Sequence, residues 1–245
     1  MTVFKLMNTE IIMQMQLSAA PSSYRPFTSQ VGPLPAASRE VHVDELLDAI
    51  GTVVTVSRGA ELFCEGEKAD SWYQVRSGVL RTYKLMSDGR RQIDAFLMPG
   101  DFLGFEGLTE RSFAAEAITQ ATVVRYSRNR IEGLAGENAR FGVRLMRILL
   151  KRLNEAQEHL IRLGRKTAEE KVASFILDLV DRASGQNVID LPMSRGDIAD
   201  YLGLTIETVS RTISTMRLNG VIALPSVHRI VVIDRKALEE LNGED

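Results

Sequence analysis

The sequence predicts an α+β protein: short β-strands curled into a roll or barrel, then one long helix, then a helix-turn-helix followed by a β-hairpin. Three observations carry this prediction. Short β-type runs divided by glycines fill the first half, the hydrophobic period changes to three and four residues near Ala139, and residues 194–220 read as helix, glycine turn and helix.

Residues 1–40 hold Pro21, Pro26, Pro33 and Pro35 among serines and alanines, so no periodic element fits and a mobile tail is expected. A short helix is expected over residues 41–47. The β-type runs GTVVTV, ELFCEG, SWYQVRSG, VLRTYKLM, RQIDAFLM and ATVVRYS follow, with Gly59, Gly66, Gly78, Gly89 and Gly100 at the joints. Between two of these runs Asp88-Gly89 predicts a tight hairpin, with both residues at the centre of a type I′ turn. Strands this short and this regularly spaced close into a roll or barrel.

Over residues 139–163 the groups Met146, Leu149, Leu153, Ala156, Leu160 and Leu163 recur at three and four, a seam of coiled-coil type. Phe141, Leu145 and Ile148 form a second stripe beside it, so this helix has two apolar faces to bury. The periodicity fits either a core helix within one chain or a helix shared between two. Thr167 is placed to cap the next helix, TAEEKVASFILDLVDRAS.

In the helix-turn-helix, Ser194 caps a first helix with Asp197 three residues on, close to a capping box, and Gly203 makes the turn. Thr205 caps the second helix, where Val209, Ile213 and Met216 bury one side. Glu207, Ser210, Arg211 and Ser214 are left outward. These suit a DNA major groove: Arg forks onto guanine O6 and N7, Glu accepts from an exocyclic amine, and Ser pairs either way. An ordinary solvated helix with a Glu207–Arg211 ion pair has the same outward residues. The ordering of the segment, with Asn219-Gly220 opening the apolar run VIALPSVHRIVVI, favours a groove reader with a hairpin wing.

The segment MSRGDIADYLGLTIETVSRTI, with Glu207, Ser210 and Arg211 in an E-x-x-S-R arrangement, resembles the recognition segment of the Crp/Fnr superfamily of bacterial transcription regulators, on its Fnr and FixK side. The block GVLRTYKLMSDGRRQIDAFLMPGDFLGFEGL is similar to that family's β-roll, so two separate parts of the chain agree. The resemblance implies a jelly-roll-like, cyclic-nucleotide-binding-type sensor domain over residues 41–135, a dimerisation helix over 136–164, and a winged helix-turn-helix over 165–245. It further implies a homodimeric transcription regulator, mainly an activator, acting on a palindromic TTGAT-type box in double-stranded DNA. Arg211 is then expected to read the guanine, Glu207 an exocyclic amine, and Ser210 a thymine or phosphate. Ser194, Arg195, Thr205, Ile206, Thr208, Ser214, Arg217 and Arg229 are the other candidates for the DNA surface. Met146, Leu149, Leu153, Ala156, Leu160 and Leu163 would form the dimer interface. RNA polymerase is the further implied partner, with the hairpin at residues 87–91 as candidate contact, and low-oxygen, respiratory or nitrogen-fixation genes as the implied programme.

Composition sets limits. A formal net charge of −2 gives no global attraction to nucleic acid, so any positive face must be local. No run is apolar enough to span a membrane and the amino terminus lacks a signal pattern, so a cytoplasmic location without membrane partners is expected. One cysteine, Cys64, cannot hold an iron–sulfur cluster, and it reads as a small buried hydrophobe. His42, His159 and His228 lie outside the strands, which argues against haem or metal. Cyclic-nucleotide members hold ribose with a Gly-Glu-Leu turn and phosphate with an Arg-Ser pair. Here Gly104-Phe105-Glu106 and Arg111-Ser112 stand instead, with a shorter connection, so Arg111 is expected to be a surface or interdomain cation. No cofactor is expected, and the roll reads as a remnant that needs no effector; a ligand-gated regulator of the same family is the alternative. Catalysis is not expected, because the strands offer no activated nucleophile and no metal cluster.

Overall fold

A computed structural model describes residues 43–107, 109–183 and 185–243, so the expected tail at residues 1–40 lies outside the described residues. Helix α1 (Val43–Ile50) runs three residues past the expected end and drops Leu47 into the core. Strands β1 (Thr52–Val56), β2 (Glu61–Phe63), β3 (Ser71–Ser77), β4 (Leu80–Leu85), β5 (Arg91–Leu97), β6 (Phe102–Leu103), β7 (Ala114–Ala117) and β8 (Ala121–Ser127) then form two antiparallel sheets, ordered β1-β8-β3-β6 and β2-β7-β4-β5. Between them Val56, Phe63, Val75, Leu80, Leu97, Leu103 and Val123 make the roll's core, since inward positions alternate along each strand.

The strand β7 has the sequence AAEA, which carries no β propensity. It forms because Ala115 and Ala117, both fully buried, are small enough to pair with β2 on one side and β4 on the other. The β4–β5 hairpin forms where expected, but its turn is of another kind. The Gly89 N–H donates to the Met86 carbonyl, so Ser87 and Asp88 are the central residues and Gly89 follows at φ 85°. The Asp88 carboxylate accepts from the Arg90 N–H, which holds this longer loop in place of a two-residue type I′ turn.

After the roll come α2 (Arg128–Glu137), α3 (Ala139–Arg165) and α4 (Ala168–Arg182). The expected helix at 136–164 thus starts at Ala139, with Asn138 between it and α2 accepting from the Phe141 N–H as its cap. Phe141 is buried with Leu145 and Ile148 packed against the same cluster of Trp72, Phe102 and Tyr126, so the second stripe covers the roll as expected. Thr167 and Glu170 close a full capping box on α4. The last part holds β9 (Val188–Asp190), α5 (Arg195–Leu202), α6 (Ile206–Leu218), β10 (Ile222–Ser226), β11 (Arg229–Val232) and α7 (Arg235–Asn242). The wing has three strands, with β11 central between β10 and β9. One apolar cluster runs from Tyr83, Ile93 and Phe96 of the roll through α4 into Ile198, Leu202, Val209, Ile213 and Met216, so the two domains share a core within one compact unit.

Candidate nucleic-acid interface

The start of α5 is held by a complete capping box: Asp197 N–H donates to Ser194 Oγ at 3.1 Å, and Asp197 Oδ2 accepts from Ser194 N–H at 2.9 Å. Gly203 ends the helix at φ 63°, a left-handed conformation that a side chain would strain, and its N–H donates to the Ala199 carbonyl. The chain therefore turns within Gly203 to Thr205, and Thr205 Oγ1 accepts from Thr208 N–H at 3.2 Å to start α6. Val209, Ile213 and Met216 are buried against α5 and α4, which fixes the rotation of α6 about its axis.

That rotation leaves Glu207, Ser210, Arg211 and Ser214 exposed on one face. Glu207 and Arg211 form no ion pair with each other among the described residues, so both keep free polar ends. Ser214 differs, since its hydroxyl donates to the Ser210 carbonyl at 2.8 Å and is already satisfied within the helix. Ser194, Thr205 and Ile206 are exposed at the helix starts, Thr208 is half-buried, and Arg217 is exposed in the last turn of α6. Arg229 of the wing donates to Asp190 at 2.8 Å, an exposed pair that raises its already high pKa. Arg195 is half-buried. Its Nη1 has no partner among the described residues, and burial lowers its pKa.

On α3, Met146, Leu149, Leu153, Ala156 and Leu160 are exposed, as are Leu150 and Ile161 beside them. A single protomer leaves this apolar strip in water, with Leu160 at 70% exposure. Leu163 departs from the seam. It is half-buried, and its Cδ2 lies 3.3 Å from where a Cβ on Gly203 would stand, because the helix-turn-helix packs against the end of α3 there.

Arg111 is a correction to the sequence reading, which set it at the surface or between domains. It is 4% exposed and sits inside the roll, donating to the Gly104 carbonyl at 2.5 Å and the Ser71 carbonyl at 2.6 Å. Its guanidinium carbon lies 4.3 Å from the Phe63 ring centre and 5.6 Å from that of Tyr73. Two backbone carbonyls thus each take one terminal nitrogen of the guanidinium, while its Nε is buried with no hydrogen-bond partner among the described residues. Glu106 accepts from the Gly104 N–H at 2.9 Å, and burial raises its carboxyl above the ordinary range. Cys64 is half-buried, not fully buried, and donates to Glu61 at 3.1 Å, which pushes its thiol up to about 11 and away from the reactive thiolate.

Sequence reasoning missed the contacts that join the helix-turn-helix to the roll. Asp197 Oδ1 accepts from Arg81 of β4 at 2.6 Å and Arg91 of β5 at 2.7 Å, and Arg91 also bonds Asp200 at 2.8 Å. Arg91 therefore does not belong to the exposed tip of its hairpin, whereas Arg90 is 81% exposed there. Tyr201 is stacked on His159 with ring centres 4.1 Å apart, and also meets Phe96 and Phe175. No local pattern marks such pairs, because their partners lie far beyond one helical turn or one hairpin in the chain, as in Arg81 and Asp197.

A Crp-like helix-turn-helix domain matches residues 170–241, and a cyclic nucleotide-binding domain matches residues 53–138. The chain is 43% identical over 213 residues to the nitrogen fixation regulation protein FixK of Azorhizobium caulinodans, covering 85% of this chain and 86% of that one. It is 40% identical to the transcriptional activatory protein AadR of Rhodopseudomonas palustris over 185 residues, or 74% and 77% of the two chains. The solved structure of FixK2 from Bradyrhizobium japonicum superposes with a TM-score of 0.77 at 40% identity, covering 80% of this chain and 99% of that one. These relatives mark a transcription regulator and not an enzyme, as the sequence predicted. With both of its domains matched and its helix-turn-helix built as described, the chain belongs to the Crp/Fnr family of DNA-binding transcription regulators.

Proposed function

We propose that this regulator acts as a cytoplasmic homodimer that reads a palindromic TTGAT-type box and activates transcription without a small-molecule effector. The observation that supports the effector-free reading is Arg111, turned inward with its two terminal nitrogens bonded to the Gly104 and Ser71 carbonyls and its face resting on Phe63. A cyclic nucleotide would have to bring a phosphate into an aromatic-lined interior, against a guanidinium already bonded to two carbonyls. The base-reading assignment rests on Glu207, Ser210 and Arg211 sharing one exposed face of α6. Dimerisation is supported by the uncovered apolar strip of α3, which a two-fold partner would bury.

The genes follow from the relatives' names: nitrogen fixation for FixK, and activation for AadR. Low-oxygen metabolism is the programme we assign. The exposed hairpin tip with Ser87, Asp88 and Arg90, flanked by exposed Leu85 and Met86, is the candidate surface for RNA polymerase.

The test is selection of bound sequences from a random duplex pool, using protein prepared in air with nothing added. An inverted repeat with TTGAT-like halves is the expected result. Enrichment only when cyclic AMP or another small molecule is supplied would replace this reading with ligand gating.

A further inference from the structure

The carboxylate of Asp197 belongs to two domains at once. Its Oδ2 accepts from the N–H and the hydroxyl of Ser194, at 2.9 and 2.8 Å, and so fixes the first turn of α5. Its Oδ1 accepts from Arg81 and Arg91, which lie near opposite ends of the β4–β5 ladder, opposite Phe96 and Leu85, and converge on it from either side of Tyr83. The group is nearly dry, with the Asp197 side chain 7% exposed. Arg81 is braced by Glu116 of β7 at 2.8 Å, and Arg91 by Asp200 one turn along α5. Both guanidinium groups lie about the ring of Tyr83, at 6.0 and 5.8 Å, and the Tyr83 hydroxyl donates to Glu61 at 2.9 Å.

A desolvated carboxylate with four donors is costly to pull away, because separating the domains would strand charge on both sides before water could return. The capping box also makes the position of Asp197 the position of the α5 start. Since α5 and α6 share a core, the clasp indexes the recognition helix to the β4–β5 hairpin.

We propose that Arg81, Arg91, Asp197 and Asp200 form a permanent ionic clasp that holds the helix-turn-helix in its DNA-competent orientation on the roll, doing by fixed charge what a bound effector does in a gated protein. These four are positioning residues: they set where α6 stands and do not read bases. The inference rests on the effector-free reading above. Breaking the clasp lowers the fraction of competent protein, and the apparent affinity falls by that fraction.

The experiment uses the full-length dimer and the duplex that the wild type selects, followed by fluorescence anisotropy with no effector. Arg81→Ala and Arg91→Ala should each weaken binding about tenfold, at a competent fraction of about one tenth, with the same base preference and an undiminished folded signal. Arg91→Lys, which keeps a positive charge beside Asp197 and Asp200, should retain most of the affinity. Unchanged or tighter binding by the alanine variants, or an Arg91→Lys variant that binds no better than Arg91→Ala, overturns the clasp. A wild type that selects no duplex without an effector refutes the reading of function instead. The clasp is then judged without DNA, by the distance between spin labels at Arg58→Cys and Lys236→Cys in a Cys64→Ser background, with labelled protomers diluted into unlabelled protein. A narrow distribution that broadens with Arg91→Ala upholds it, and one that does not change overturns it.

Discussion

In the proposed base-reading assignment, Arg211 is the residue on which specificity turns. It stands exposed one turn after Glu207 with its fork unoccupied by a neighbour on that helix, and a bidentate contact to guanine is the strongest base-edge interaction open to it. Arg211→Ala should cost about 1–3 kcal/mol per half-site and flatten the preference at one base pair. Binding measured across all single-base operator variants checks this, and a mutant that keeps the guanine preference would show that another side chain reads it. His159 is the second informative residue. It is 8% exposed, and neither ring nitrogen has a hydrogen-bond partner among the described residues. Burial, aided by Arg162, lowers its pKa to about 4 from 6.5, while Asp94 pulls the other way. The folded value is depressed, so the neutral ring stabilises the protein above pH 6.5. That contribution is lost as pH falls from 6.5 towards 4, at up to about 1.4 kcal/mol per pH unit. His159→Phe keeps a ring on Tyr201 and removes the proton site. Between pH 7 and 5 the wild type should lose more of its melting temperature than the variant, and parallel curves would contradict the burial argument.

At the scale of elements, α3 has two faces with different tasks. Phe141 is 2% exposed against the roll, and Phe141→Ala should destabilise the protomer by about 3–5 kcal/mol without changing its oligomeric state. Leu153 lies on the opposite, uncovered face, where a carboxylate is tolerated in a monomer but meets its own copy in a two-fold dimer. Leu153→Glu should therefore give folded monomer in sedimentation, with operator affinity down about 100-fold or more because the second half-site is lost. The elements that were legible in the sequence are those whose signal is local. The capping residues of α4, α5 and α6 and the glycine turn at Gly203 read correctly. Helix α7 and strands β7 and β9 did not. Ala115 and Ala117 carry no strand preference and are strands only because β2 and β4 flank them.

For the molecule as a whole, the proposed homodimer would set two recognition helices related by a two-fold axis on the duplex one turn apart, about 34 Å, so half-site centres should lie about 10 base pairs apart. Inserting five base pairs between the halves would place them on opposite faces of the duplex and should abolish tight binding, as a gel-shift series would show. A retained affinity would mean that each protomer binds alone.

The chain order alone determined that a glycine-punctuated roll precedes a long helix and a winged reader, and it determined which residues of α6 face outward, because period and capping are set by near neighbours. Only the tertiary structure decided that Arg111 turns inward onto the Gly104 and Ser71 carbonyls, that Leu163 turns back onto Gly203, and that Asp197 ties α5 to β4 and β5. Each of these depends on groups separated in the chain meeting where water is excluded, and for Arg111 and Asp197 the cost of an unpaired charge there outweighs any local preference.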